Sequence, residues 1–368
     1  MFTDNLPQPT TLEEAEKAFT DAVNAYHITI PDDSHGGRGF ALPSIMFKHR
    51  ILYLHGPVTQ EAVQALCMQL HYLCSEPVLK QPNRSRRITL YVNSPGGLVG
   101  EGLTLFYYLR QAEEITREPV ATVIQTMGAS MGSFLPQAAT PGYRLMMPYS
   151  QMMIHSLSYG VQGKREDHTR SVGQTRNMMA AMYEVYVDKM AEARVLFGGK
   201  EDTPELRGEI LRWLFEQMED DDVFMSPLQT LDADLTDFVV HSEAEQFEYY
   251  KALDWYHGLY KEGPNPEEPG KTTLIRAEAD QQSGRVTPFE LSDAEKARAL
   301  AEIKRLRKIN REKTVAFEGR RAPIEAALAA LDTIRIQEGT GTRKGNGPAY
   351  DTAIEAFEAA LKGSSKKS

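Results

Sequence analysis

Cysteine is nearly absent: Cys67 and Cys74 are the two thiols in 368 residues. A disulfide-stapled scaffold needs more, and two sulfurs alone cannot complete a structural zinc site. The nine histidines include no HExxH pair or other close ligand cluster, so no metal is expected. Also missing is any apolar run long enough to span a bilayer. The opening MFTDNLPQPTTLEE lacks the basic start and apolar stretch of a secretory signal. The expectation is therefore a cytoplasmic protein, with both thiols reduced and on the same side of a helix. Positive charge is in deficit as well: a formal net charge of −10 argues against a general nucleic-acid binder. No internal repeat is present.

What is present suffices for a folded core, with 41% apolar and 25% charged residues. Residues 1–40 read as an N-terminal extension. Thr11 and Glu14 have capping-box spacing, and Leu12, Ala15, Phe19, Ala22 and Tyr26 line one face of a short helix. From residue 41 to 256 short apolar strands alternate with helices. Residues 51–54, 88–92 and 120–125 are strand-like, residues 58–74 are helical, and residues 164–195 form one long helix. This alternation predicts an α/β domain with mainly parallel strands. Residues 257–290, containing GPNPEEPG and QQSGRVTP, have the composition of a linker. Residues 291–368 read as a charged helical extension with helices near 292–315 and 322–335. A GTGTRKGNGP break and a short helix to Leu361 follow.

In TVIQTMGASMGSFLPQAA an apolar strand runs into Gly128-Ala129-Ser130-Met131-Gly132 and then a helix. Small residues at such a junction tolerate a tight backbone and leave the Ser130 hydroxyl uncovered, while a helix N-terminus favours developing negative charge. A serine hydroxyl needs a base to become a nucleophile. His155, at the end of the strand-like QMMIH, is the candidate. Each residue alone also fits an ordinary role, a helix cap and a core histidine. Gly96 and Gly97 in YVNSPGGLVGEGL follow another strand, where their N–H groups could form an oxyanion hole or merely a turn.

Taken together, YVNSPGG, GASMGSFL, MMIH and YGVQG resemble the corresponding motifs of the Clp-protease proteolytic-subunit (ClpP) family, in that family's order. The resemblance runs from about Phe40 to Val240, with ILYLHGPV near its start and DVFMSP and LTDFVV near its end. It implies a crotonase-like fold of βαβ units with a protruding handle, a strand plus long helix spanning about 157–195. It further implies Ser130 as nucleophile, His155 as base, and Gly97 with Met131 as oxyanion-hole donors. The handle segment Gly160, Val161 and Gln162 would bind substrate through main-chain hydrogen bonds. No cofactor is implied. The family's architecture implies homo- or hetero-oligomeric stacked rings, polypeptide substrates and an AAA+ unfoldase.

The third triad member departs from the pattern. Counting back from Asp222-Val223-Phe224-Met225-Ser226, the family's Arg-Asp pair falls on Gln217 and Met218, neither an acid. Glu219, Asp220 and Asp221 lie close by, and Asp220 is the assigned acid, against an acidic run that is merely a solvated loop. Two further readings stay open. One is a weak or inactive ring subunit partnering an active paralogue, and the other is a capsid-type maturation protease. The tail's Lys296, Arg298, Lys304, Arg305, Arg307, Lys308 and Arg311 alternate with glutamates, which reads as a solvated amphipathic helix packing on a neighbouring subunit. Gly270-Lys271-Thr272 lacks the first glycine of a phosphate loop, which excludes ATP binding there.

Overall fold

The computed structural model describes residues 29–30, 40–41, 49–81, 87–157, 164–218, 222–265, 268 and 271–337. The expected helix near residues 11–26 and the tail beyond residue 337 lie outside them. The chain divides into two compact units, Met1–Arg307 and Lys308–Ser368.

In chain order the elements are β1 (Thr29–Ile30), β2 (Phe40–Ala41), β3 (Ile51–His55), α1 (Gln60–Leu73), α2 (Glu76–Leu79), β4 (Ile88–Ser94) and α3 (Val99–Thr116). Next come β5 (Val120–Ala129), α4 (Met131–Phe134), a 3-10 turn (Leu135–Ala138), β6 (Arg144–Met146), β7 (Gln151–Ile154), α5 (Arg165–Leu196) and α6 (Pro204–Met218). The last are β8 (Val223–Met225), α7 (Pro227–Asp232), β9 (Phe238–Val239), α8 (Glu243–Tyr256), β10 (Tyr260–Pro264), β11 (Thr272–Arg276) and α9 (Asp293–Gln337).

Seven strands form one sheet in the order β3-β4-β5-β6-β9, with β7 joined to β5 and β8 to β7. Every pairing in it is parallel except β7–β8. Strand β5 is central, and Val120–Ile124 are buried without interruption, as a strand covered on both faces must be. Val120 and Ile124 point into a core with Leu66, Leu70, Leu105, Leu109, Phe134, Tyr186, Ile210 and Leu214. Ala121 and Val123 point the other way, into a core with Leu145, Phe238, Tyr249, Leu253 and Ile303. The period of two thus assigns the two faces. Helices α1, α3, α5 and α6 supply the first layer; α8 and the beginning of α9 supply the second. Each fully buried Leu or Ile contributes roughly 1.5–3 kcal/mol.

The second layer bears on the tail. Ala299 and Ile303 are completely buried, so the start of α9 packs on this chain's own sheet. Ser292 caps this helix, with the Glu295 N–H donating to Ser292 Oγ at 3.3 Å and the Ser292 N–H donating back to Glu295 Oε2 at 3.0 Å. Helix α9 is continuous where two helices were expected. Residues 257–290, read from composition as linker, contain the β10–β11 hairpin instead. Its strands, YKEGP and TTLIR, are too short and polar to announce themselves, and Leu259, Ala277 and Val286 form a small core of their own beside it.

Parallel strands open their carboxyl ends to a common edge, where the loops after them converge. Strands β4, β5 and β7 deliver Gly96-Gly97, Ser130 and His155 there.

Candidate active site

Ser130 sits between the last residue of β5 and the first of α4, with φ 55° and ψ −123°. A non-glycine residue in this region costs about 1–3 kcal/mol and persists only where its surroundings hold it. They do: the Ser130 N–H donates to Met153 O on β7 at 2.9 Å, and Ser130 O accepts the N–H groups of Ser133 and Phe134. The turn aims the half-buried hydroxyl outward from the sheet edge.

The Ser130 Oγ lies 2.8 Å from His155 Nε2. With the ring proton on Nδ1, Nε2 accepts the serine O–H, as a general base must. His155 reaches this position because β7 pairs with β5 in the register Ala129 to Met153, which puts Ser130 level with Ile154 and His155 one residue further along the same edge.

On the other side of the hydroxyl, glycine is obligatory at 96 and 97. Gly96 has φ +96°, and a Cβ there would stand 2.5 Å from the Ser130 Cβ. Gly97 has φ +152°, and its Cβ would stand 2.3 Å from Val58 O. The parallel bridge between Val58 and Gly97 uses Gly97's neighbours: the Val58 N–H donates to Gly96 O, and the Leu98 N–H donates to Val58 O. Gly97's own N–H therefore faces away from Val58. Met131 begins α4, whose helical bonds start with the N–H groups of Ser133 and Phe134, so its N–H has no acceptor within the helix.

The third group follows from the β7–β8 ribbon. Its register pairs Ile154 with Val223, so the next pair outward is His155 with Asp222. Directly opposed residues of an antiparallel pair project on the same face. His155 Nδ1 stands 3.5 Å from Asp222 Oδ1, ion-pair range rather than a short hydrogen bond. The Asp222 side chain is 60% exposed and that of His155 20%. Asp220, with Glu219 and Asp221, lies outside the described residues, as do Gly160, Val161 and Gln162. Asp222 was missed in the sequence reading, where it served to align the segment; the signal for it is the summed register of two strands, which no local motif carries.

Met218 occupies the inner side of the imidazole. With His155, Ser156, Leu157, Met179, Met182 and Tyr183 it lines a cavity of about 10 Å³, close to the space of one water molecule. Met218 O accepts the Ser156 N–H at 3.1 Å. This side of the ring therefore meets thioethers, an aliphatic chain and a phenol, with no acid among those residues.

Cys67 and Cys74 form no disulfide, and burial pushes the Cys67 thiol up to about 12, helped by the Glu101 carboxylate. A thiol so held is a poor nucleophile. No helix among the described residues is long and apolar enough to cross a membrane.

The arrangement can carry out nucleophilic acyl transfer: an activated hydroxyl, a base in contact with it and amides on two sides. Residues 34–196 match the family model described as Clp protease. That span starts ahead of β3 and ends with α5, so it contains Gly97, Ser130, Met131 and His155 but not Asp222. Over this span, somewhat less than half of the chain, the protein is similar to the Clp protease family.

Proposed function

We propose that the protein is a serine endopeptidase. The Ser130 Oγ attacks the scissile carbonyl carbon while His155 Nε2 takes the hydroxyl proton. The oxyanion is held by the N–H groups of Gly97 and Met131. The C–N bond then breaks as His155 returns the proton to the departing amine, and water, activated by the same imidazole, releases the acyl group. Asp222 orients the ring and faces its charge when it is protonated. The observation that carries this reading is the 2.8 Å contact between Ser130 Oγ and His155 Nε2 at a strained strand-to-helix turn. Ser130→Ala is expected to abolish cleavage of a small fluorogenic peptide; unchanged hydrolysis would remove the mechanism.

Similarity to the Clp protease family supports the finer reading: stacked rings enclosing the sites, with unfolded polypeptides delivered by an AAA+ unfoldase. Gly160, Val161 and Gln162 would pair with substrate backbone as a strand, which gives weak side-chain selectivity. In this reading residues 41–256 are the peptidase domain, and residues 1–40, 257–290 and 291–368 are appended to it.

A second reading is a feeble or inactive ring subunit that partners an active paralogue. Met218 at the inner side of His155 and the exposed Asp222 favour it. Purified chain that forms rings yet resists a fluorophosphonate, and gains activity only with a partner, would select it.

A further inference from the structure

The turn that carries Ser130 is tied to a chain of buried polar groups running away from the active site. The Ser133 hydroxyl donates to Ser130 O at 2.7 Å and contacts Tyr186 OH of α5 at 2.9 Å. Ser133 O in turn accepts from Gln137 Nε2 at 3.3 Å, and the same amide nitrogen donates to Leu235 O at 3.2 Å. Gln137 Oε1 accepts from Arg144 Nη1 at 2.8 Å. Arg144 then closes on Asp237 through both Nε, at 3.0 Å, and Nη2, at 2.7 Å, and its main-chain N–H donates to the same carboxylate. Ser133, Gln137, Arg144 and Asp237 are all buried to at least 97%.

The chain ends on the C-terminal extension. Arg307 Nη1 donates to Asp237 O at 2.7 Å and lies 3.6 Å from Asp237 Oδ1, while its guanidinium stacks 3.7 Å from the centre of the Phe197 ring, just past the end of α5. Burial works against the Asp237 charge, but the Arg144 and Arg307 guanidiniums outweigh it and hold the carboxyl below its ordinary value. Arg307 therefore touches both the anion at the far end of the network and the root of the long helix whose Tyr186 meets Ser133.

We propose that Arg307 is a positioning residue: from the C-terminal extension it clamps Asp237, and through Arg144, Gln137 and Ser133 it holds the strained turn that presents Ser130. It touches no substrate. Each link has a fixed partner and no water between, so slack at Arg307 is passed to Gln137 and then to the carbonyl of Ser133, one turn from the nucleophile. The proposal rests on Ser130 being the nucleophile, and the experiment separates the two claims.

Arg307→Met keeps the aliphatic stem over Phe197 and removes the charge and donors; Arg307→Lys keeps the charge. Arg298→Met is the control: it removes another arginine contact of α9, the paired bonds to Glu262, which lie outside the network. Two quantities are read on the full-length protein. One is the rate of fluorophosphonate labelling together with kcat and KM on a small peptide; the other is hydrogen exchange of amides 128–138. Arg307→Met is expected to lower labelling and kcat about tenfold with KM unchanged, and to speed exchange across 128–138. Arg307→Lys should fall between it and the parent, and Arg298→Met should leave both quantities alone. Equal losses in Arg307→Met and Arg298→Met that follow their melting temperatures would overturn the proposal, as would parent-like labelling and exchange in Arg307→Met. A parent protein that takes no label at all ends the peptidase reading instead. In that case exchange alone decides the clamp: faster exchange only in Arg307→Met supports it, and no difference ends it.

Discussion

The two sides of His155 are built differently. Toward Ser130 every group is fixed: glycines without room for a Cβ, a turn held by main-chain bonds, and a buried network beneath it. Toward Asp222 there is a two-stranded ribbon ending in a largely exposed carboxylate 3.5 Å away, with neighbouring Phe224 52% exposed. Water screens a carboxylate in that position, and its hold on the ring is correspondingly weaker than that of a buried acid. In the proposed mechanism the nucleophile and its oxyanion donors are pre-organised, whereas the orientation of the base is left loose. The difference locates the weak link of the site in the imidazole, not in the serine.

This contrast can be broken from either side. Removing the base outright has the largest effect: His155→Ala should lower kcat by on the order of 10⁴–10⁶, measured on a small peptide ester or amide. Removing the exposed acid should do far less. Asp222→Asn is expected to cost about 10²-fold in kcat, short of the roughly 10⁴ that a buried triad acid commands. Raising salt should reproduce part of that loss in the parent protein and none of it in the variant. A loss in Asp220→Asn larger than in Asp222→Asn would move the acid to that neighbour.

Placing an acid on the packed side should act in the opposite sense. Met218→Glu is expected to raise kcat about 3- to 10-fold by facing the imidazolium from a desolvated position. The same change should lower stability by about 1–3 kcal/mol, because a polar group replaces a buried thioether. Denaturant midpoints and peptide kinetics on one preparation check both signs, and a fall in kcat would show that the inner side cannot serve the ring.

The smallest effect is on folding alone. Burial holds the His257 imidazole below its ordinary value of 6.5, despite the hydrogen bond to Pro141 O. Its folded value is depressed, so the unfolded chain takes up the proton first as pH drops. The stability it contributes is complete above pH 6.5 and is lost as pH falls below that, at no more than about 1.4 kcal/mol per pH unit. His257→Phe should flatten the change in urea midpoint between pH 7.5 and 5.5.

The ease of reading these parts from sequence follows from how local their causes are. Strands β3, β4 and β5 and helix α5 lie within a few residues of their expected limits, because apolar alternation and helix-forming runs are local properties. The meeting of Ser130 and His155 is implied by the resemblance of GASMGSFL and MMIH to family motifs, and in the structure both follow apolar strands that run to the same edge. Asp222 could not, because its place depends on a three-residue strand, VFM, pairing antiparallel in one register out of several. Counting by motif spacing led instead to Met218, which is buried and lines a cavity with His155, and to Asp220 nearby as the assigned acid. The β10–β11 hairpin escaped notice for a related reason: proline and glycine around it dominate the composition, while among the described residues its small core rests on Leu259, Ala277 and Val286. In α9 the buried Ile303 shows no more than ordinary helical periodicity, so nothing in the sequence announced which surface it covers.

The central claim is that Ser130 is the group activated at this site. The most direct test treats the full-length protein with a fluorophosphonate and maps the adduct by peptide mass spectrometry. A single adduct on Ser130 that disappears in His155→Ala is expected; no adduct, or one on another residue, would mean that Ser130 is not the activated group.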